Sequence, residues 1–572
     1  MLTIDTWLNG IGLTAPITDC PAWPPDLFAL AGTLIHRGGA YLRVFEHPGS
    51  STYLEGIDAA AKKWRDRLDA ITARPVTPWD LELARVPEVE SGWACLIEAR
   101  ERPLNAINEA ATLVEQLIRL TLIADAASRG IGVTWNNTTP EAGSEPSEFL
   151  LMAGEALSYN DNRSYCREVP PKVLCVLGKQ HTPAKGATFR SLSHHLALSY
   201  PGEIEARWIL ASPKTTEPAS AREGLNLLLL PWPERVETSD FHEAAPGAKR
   251  TDGSEPPGYF RFDPKKSDAP EVFGRRLQHA LRLARQHAGP IDAVVFPELA
   301  LTELQYKEAE RIAFDERTIL ICGVRQAGQV EGEWDANLCI LQAAGAVREA
   351  QPDPVEGAKL REDLRRSQAK HHRWYLDRTQ IVNYQLAGAL PAARGAWEHI
   401  ELAPPRVLHF VTVNAITWSV LICEDLARQD PAAELVRAVG PNLLIALLMD
   451  GPQLSHRWPA RYAAVLAEDP GTSILTLTSL GMVERSRPIL GSGERAPVSR
   501  AIALWRDAIA GEIQIALDPG HNACVLSLEC RMQKEYCADG RSDHGQARYP
   551  VYAGYCSFEV PEEVEEPAKT EA

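Results

Sequence analysis

Between residues 225 and 478, short apolar runs alternate with stretches of helical periodicity, and this alternation restricts the chain to a sheet covered by helices. Leu225–Leu230, Ala293–Phe296, Thr318–Val324, Ala336–Gln342, Val407–Val413, Ser419–Cys423, Leu443–Leu448 and Ser473–Thr478 read as strands. Glu271–His287, Leu301–Phe314, Ala432–Val439 and Pro459–Glu468 read as helices between them. An α/β domain is therefore expected over residues 223–556, interrupted by two polar or proline-rich insertions, Phe241–Pro270 and Gln351–Leu364. At 572 residues the chain is too long for a single core, so a further domain is expected.

Residues 1–215 have a different texture and are expected to form a mainly α-helical N-terminal domain. Pro24-Pro25 precedes a predicted helix over Asp26–His36, and Glu98–Arg129 carries Leu113, Leu117, Leu120 and Ile123 at helical spacing. Gly130–Pro146 reads as loop, Lys172–Leu177 as strand, and Ser191–Tyr200, with His194 and His195, as helix. The polar segment Thr215–Glu223 marks the expected boundary, and residues 557–572 read as an acidic, solvated tail.

The net charge of −17 argues against a general nucleic-acid binder, which needs a basic footprint. Met1–Gly10 lacks the charged and apolar regions of a secretory signal. The apolar runs are too short to span a bilayer, so no membrane association is expected. Eleven cysteines, an odd number, fit reduced thiols and a cytoplasmic location.

Three strand ends carry the chemistry. Trp418-Ser419-Val420-Leu421-Ile422-Cys423-Glu424-Asp425 is an apolar strand running into a cysteine and two carboxylates. A cysteine there can sit on a turn above the sheet edge, but a lone cysteine is ordinarily a packing residue. Val294-Val295-Phe296-Pro297-Glu298 ends another buried strand in a glutamate, which alone would be a residue favoured at a helix N-terminus. Gln368-Ala369-Lys370-His371-His372-Arg373-Trp374 is a basic cluster that alone would be a solvated surface run.

Together and in this order, Glu298, Lys370 and Cys423 resemble the Glu–Lys–Cys triad of the nitrilase, or carbon–nitrogen hydrolase, superfamily. Leu225–Trp232 resembles its first strand, and Ile321-Cys322-Gly323-Val324 with Asn337 resembles its asparagine-bearing strand pair. Ile422-Cys423-Glu424-Asp425-Leu426 is similar to the glutaminase domains of glutamine-dependent NAD synthetases. His456-Arg457-Trp458, Ser479-Leu480-Gly481 and Gly491-Ser492 fall where the family has its later loops. The resemblance spans about 330 residues and implies an αββα sandwich with no cofactor and no metal. It implies Cys423 as nucleophile, Glu298 as general acid–base, and Lys370 with the backbone N–H of Glu424 as oxyanion stabilisers.

A supporting second carboxylate falls to Asp377 or Glu398, and the two stay open. The family's later helix pattern is replaced here by Arg461-Tyr462-Ala463-Ala464-Val465-Leu466-Ala467-Glu468, and no Ser-Gly-Gly pyrophosphatase loop follows Cys423, which excludes a complete NAD synthetase. The expected substrate is a small amide, carbamoyl compound or nitrile, and the resemblance also implies a homo-oligomer. Two alternatives stand beside hydrolysis: an inactive sensor or scaffold whose N-terminal domain docks a protein partner, and an N-acyltransferase. Elsewhere, Cys166 and Cys175, or Cys530 and Cys537, lack paired zinc spacing. Leu177–Pro183 lacks the spacing of a phosphate-binding loop. His194-His195 and His371-His372 read as surface or packing residues, because neighbours on regular structure point apart.

Overall fold

The computed structural model of the protein describes residues 2–11, 17–43, 51–71, 85–129, 165–183, 186–210, 224–245, 256–264, 268–328, 332–343, 361–362, 364–402, 404–413, 416–542 and 546–562. The expected loop Gly130–Pro146, the expected boundary Thr215–Glu223, most of Gln351–Leu364 and the tail beyond residue 562 lie outside the described residues. The chain divides into two compact units. One comprises Met1–Gly202, Glu434–Pro441 and Met532–Arg548; the other comprises Glu203–Ala433, Asn442–Arg531 and Tyr549–Ala572. This division differs from the contiguous one expected from the sequence.

In the first unit, helices run over Ile4–Gly10, Pro24–Arg37, Ser51–Ile71, Pro87–Glu98 and Ala111–Ala127. Proline opens Pro24–Arg37, where its missing N–H costs nothing. Leu27, Phe28, Leu30 and Leu34 of that helix are buried in one core with Leu113, Leu117, Leu120 and Ile123 of Ala111–Ala127. Among the described residues, no helix is long and apolar enough to cross a membrane.

Ser191–Tyr200 is not the predicted helix. A short 3-10 turn, Phe189–Leu192, leads into a strand, Leu196–Leu198, paired antiparallel with Val176–Gly178. The buried Asp125 carboxylate accepts the backbone N–H groups of His194, His195 and Leu196 at 2.7, 2.9 and 2.9 Å. Those donors are thereby withdrawn from any helical ladder.

The second unit is α/β, built on two large mixed sheets and a small one. The first large sheet follows the order Arg365–Ala369, Ala336–Gln342, Ile319–Gln326, Ala293–Val295, Gly224–Leu229, Ala523–Lys534, Gln546–Phe558. The second follows Gly511–Ala516, Ala501–Asp507, Ser473–Thr478, Leu443–Leu448, Ile416–Ile422, Arg406–Val413, Ile204–Leu210. Ile204–Leu210, assigned from sequence to the N-terminal domain, is thus an edge strand here, in parallel register with Arg406–Val413. Leu443–Leu448 is buried at every position and parallel to both neighbours, as a parallel strand covered on both faces must be. Phe273, Leu277, Leu281 and Ala284 of the helix Pro270–Ala288 pack on Leu228, Val294 and Leu320 of the first sheet. Part of the insertion Phe241–Pro270 is itself structured: Phe241–Ala245 pairs antiparallel with Gly258–Phe262, which pairs parallel with Ala396–Glu398, and Tyr375–Leu376 completes the small sheet. Phe241 and Phe260 bury there against Trp374 and Leu376, which is why the segment orders.

Gly323 lies where the strand Ile319–Gln326 passes the Pro297-Glu298-Leu299 turn, and a Cβ at Gly323 would come within 2.6 Å of the Glu298 Cα. The chain turns away at once, with Leu299 at φ 55°. Gly323→Ala is expected to cost about 1–3 kcal/mol through overpacking, seen as a lower unfolding midpoint in denaturant.

Candidate active site

Glu298 is delivered by the strand Ala293–Val295, and Phe296 N–H still pairs with Ile321 O at 2.9 Å, so the turn begins from a fixed point. Lys370 directly follows the edge strand Arg365–Ala369, and its own N–H donates to Asn337 O at 2.9 Å. Glu398 ends the strand Ala396–Glu398 of the small sheet, anchored by its N–H to Trp374 O at 2.8 Å. These three side chains meet. The Lys370 ammonium lies 2.7 Å from Glu298 Oε1 and 2.6 Å from Glu398 Oε2, and the three residues are 2%, 1% and 4% exposed. Asn337 Nδ2 ties the same two carboxylates, at 2.7 Å to Glu298 and 2.8 Å to Glu398.

Of Asp377 and Glu398, it is Glu398 that meets Lys370. Asp377 instead caps the helix Arg378–Asn383, accepting the Gln380 N–H at 2.7 Å, and does not take part in the cluster. Local sequence could not separate them: Asp377 is nearer Lys370 in the chain, but the small sheet brings Glu398 back to it.

Cys423 follows the strand Ile416–Ile422 and opens the helical turn Glu424–Ala427. Its backbone is at φ 45°, ψ −106°, a conformation that a non-glycine residue adopts only under constraint. That constraint includes the Cys423 N–H bond to Leu447 O at 2.9 Å. The Glu424 side chain pairs with Arg428 at 2.9 Å. Asp425, which the sequence reading did not single out, is buried and accepts the His371 N–H at 3.0 Å and His372 Nδ1 at 2.9 Å. It thereby links the segment after Cys423 to the segment after Lys370. His371 and His372 are accounted for by this contact.

Burial pushes the Cys423 thiol well above the ordinary thiol range; Glu298 adds to the rise, Lys370 opposes it, and Glu424 and Asp450 reinforce it. The sulfur therefore lies in the electrostatic reach of both Glu298 and Lys370. Burial also raises Glu298, with Lys370 lowering and Glu398 raising it. For Lys370, burial works against the ammonium, but Glu298 and Glu398 outweigh it and hold its pKa well above the usual lysine value. Burial thus favours the neutral Cys423 thiol, while the two glutamates favour the charged Lys370.

Asp450, also missed in the sequence, lies beyond the central strand Leu443–Leu448 and is 3% exposed. Its Oδ1 receives Tyr384 Oη, the Gly451 N–H at 2.8 Å and an Arg457 guanidinium N–H at 2.8 Å. Arg457 is the arginine of the His456-Arg457-Trp458 motif. A cavity of about 410 Å³ reaches Glu398, lined also by Phe260, Arg261, Leu299, Arg325 and His399.

No family model matches the chain, and no curated protein matches it in sequence. Solved structures similar to the chain at a low TM-score include nitrilase-superfamily proteins. An amidase from Nesterenkonia sp. is 13% identical, with 54% of this chain and 92% of that chain covered at a TM-score of 0.30. A mutant of the Nesterenkonia AN1 amidase from the nitrilase superfamily is 12% identical over the same shares, at 0.31. Nit3 of Saccharomyces cerevisiae, a member of branch 10 of that superfamily, is 10% identical, with 54% and 90% covered at 0.31.

Glu298→Gln removes a negative charge that raises the thiol, so Cys423 is expected to alkylate severalfold faster with iodoacetamide at pH 8, read by peptide mass mapping. An unchanged rate would separate Glu298 from the thiol. Asp377→Ala is expected to leave that rate at the wild-type value while costing about 1 kcal/mol from the lost cap.

Proposed function

We propose that the second unit is a thiol-dependent hydrolase of a non-peptide carbon–nitrogen bond, built as an αββα sandwich of the nitrilase type, with Cys423 as nucleophile. One observation carries this reading. Glu298 Oε1 is occupied by both Lys370 and Asn337, while its buried Oε2 has no hydrogen-bond partner among the described residues. That leaves a pre-oriented carboxylate oxygen with a raised proton affinity, in electrostatic reach of a thiol that is protonated at rest. Such an oxygen suits a general base.

In the proposed cycle, Glu298 takes the Cys423 proton as the sulfur bonds to the substrate carbonyl carbon. The resulting oxyanion is met by the Lys370 ammonium and the backbone N–H of Glu424. Collapse breaks the carbon–nitrogen bond, and Glu298 returns the proton to the departing amine. Water then loses a proton to Glu298 and attacks the thioester, and the thiol is restored as the carbon–sulfur bond breaks. For a nitrile the same attack forms a thioimidate first. Glu398 and Asn337 act as positioning residues, holding Lys370 charged and Glu298 in its rotamer. The expected substrate is a small amide, carbamoyl compound or nitrile; an amide is the substrate class named for the Nesterenkonia proteins, one of which was solved with butyramide.

A second reading, a nitrilase-like sensor or scaffold without turnover, is favoured by the near-total burial of Glu298, Lys370 and Cys423. Intact-mass analysis across an amide and nitrile panel separates the two. The hydrolase reading expects a thioester adduct on the wild type and none on Cys423→Ala; wild type without adduct or turnover across the panel leaves the scaffold. Glu298 must be ionised to accept the proton, and its pKa is raised, so the acid limb of kcat/KM is expected above the ordinary glutamate range. Activity would rise with pH through that limb, and Lys370 would sustain it to high pH because its own pKa is raised. Glu298→Gln is expected to lower kcat by roughly 10²–10⁴-fold.

A further inference from the structure

The first unit holds a second cluster of chemistry-bearing side chains. His181, His194 and Glu535 come from three separate stretches of the chain, and one ligand atom of each lies within 4.8 Å of the others. His181 and His194 are 3% and 2% exposed, and their rings are nearly parallel, 8° apart with centroids at 5.6 Å. Glu535 reaches His181 Nδ1 through Oε2.

The backbone around these groups is clamped. Asp125 holds the N–H groups of His194, His195 and Leu196, as described above. Lys179 N–H donates to His195 O at 2.8 Å, Ala538 N–H to Ser191 O at 2.7 Å, and Arg541 to Leu192 O at 3.2 Å. The segment bearing His194 is thus tied to the segment after Glu535 before any ligand is considered. Lys179 also approaches the other oxygen of Glu535, with Nζ 3.5 Å from Oε1. Its ammonium is shared with the carbonyl oxygens of Arg190, at 3.1 Å, and Ser193.

A cation held between the three would meet one ligand atom of each. We propose that His181, His194 and Glu535 bind a divalent cation of the zinc class in the first unit, with a fourth position open to water or an outside donor. Two imidazoles and a carboxylate are a ligand set that suits zinc and similar first-row ions. Tetrahedral ligands about 2.0–2.2 Å from zinc stand about 3.3–3.6 Å from one another, so ligand atoms within 4.8 Å of one another need shift by only about an ångström. Glu535 would give Oε2 to the metal while Lys179 keeps Oε1, the kind of outer partner that orients a ligating carboxylate. His195 stays outside the ligand set because adjacent side chains diverge.

The test uses the full-length chain, stripped with chelator and reloaded separately with Zn²⁺ and Co²⁺. The wild type is expected to retain one Zn²⁺ per chain by elemental mass spectrometry and to give the intense visible bands of four-coordinate Co²⁺. His194→Ala and Glu535→Gln are expected to weaken Zn²⁺ binding at least about tenfold, and Cys423→Ala to leave it unchanged. Circular dichroism accompanies each variant; Glu535→Gln keeps the side chain's shape, so its loss of metal with wild-type dichroism isolates ligation even if His194→Ala does not fold. Wild type that holds well under one Zn²⁺ per chain overturns the proposal. So does undiminished Zn²⁺ binding in a folded Glu535→Gln.

Discussion

The Lys370 ammonium, buried between Glu298 and Glu398, is the interaction on which the second unit's chemistry is organised. Isolated in the interior, any of these charges would be untenable; together they are held by short, charge-assisted contacts and by Asn337, which bonds both carboxylates. Taking one partner from such a buried group typically costs about 3–5 kcal/mol, because the remaining charges lose their compensation. The arrangement carries two carboxylates for one ammonium, and that imbalance, with burial, raises the proton affinity of Glu298. A stable, fully paired ion cluster would be inert. This one keeps an oxygen of Glu298 without a partner among the described residues, beside a thiol held neutral by the same burial.

Each member depends on a different element, so the cluster also fixes how those elements meet. Lys370 continues the edge strand of the first sheet, Cys423 leaves the second sheet, and Glu398 leaves the small one. Asp425 closes the circuit by accepting from His371 and His372, so the turn that presents the thiol cannot shift without moving the segment after Lys370. Gln368 Nε2 reaches Val420 O at 3.1 Å, a further tie between the two large sheets next to the site. Strain at Cys423 is sustained by this frame: the unusual dihedrals lie between a sheet bond to Leu447 and a helical turn.

The alternation of apolar runs and helical stretches was enough to locate most strands and helices of the second unit, because a buried parallel strand needs apolar side chains on both faces whatever its neighbours are. Strand ends were equally legible, but Glu298, Lys370 and Cys423 became candidates only together, through their resemblance to the nitrilase triad. What the sequence could not express was pairing. The strand Ile204–Leu210 has an ordinary pattern of its own, and only its register with Arg406–Val413 assigns it to the second unit. The histidines of Ser191–Tyr200 sit in a bend and not on a helix because of Asp125, which is 69 positions from His194 in sequence. Glu398 rather than Asp377 meets Lys370 because the parallel pairing of Ala396–Glu398 with Gly258–Phe262 carries it back there, whereas Asp377 caps a helix N-terminus. Periodicity and strand ends are local properties, fixed by which side chains tolerate burial; the partners of a buried charge are set by register between distant segments, and that only the folded sheets decide.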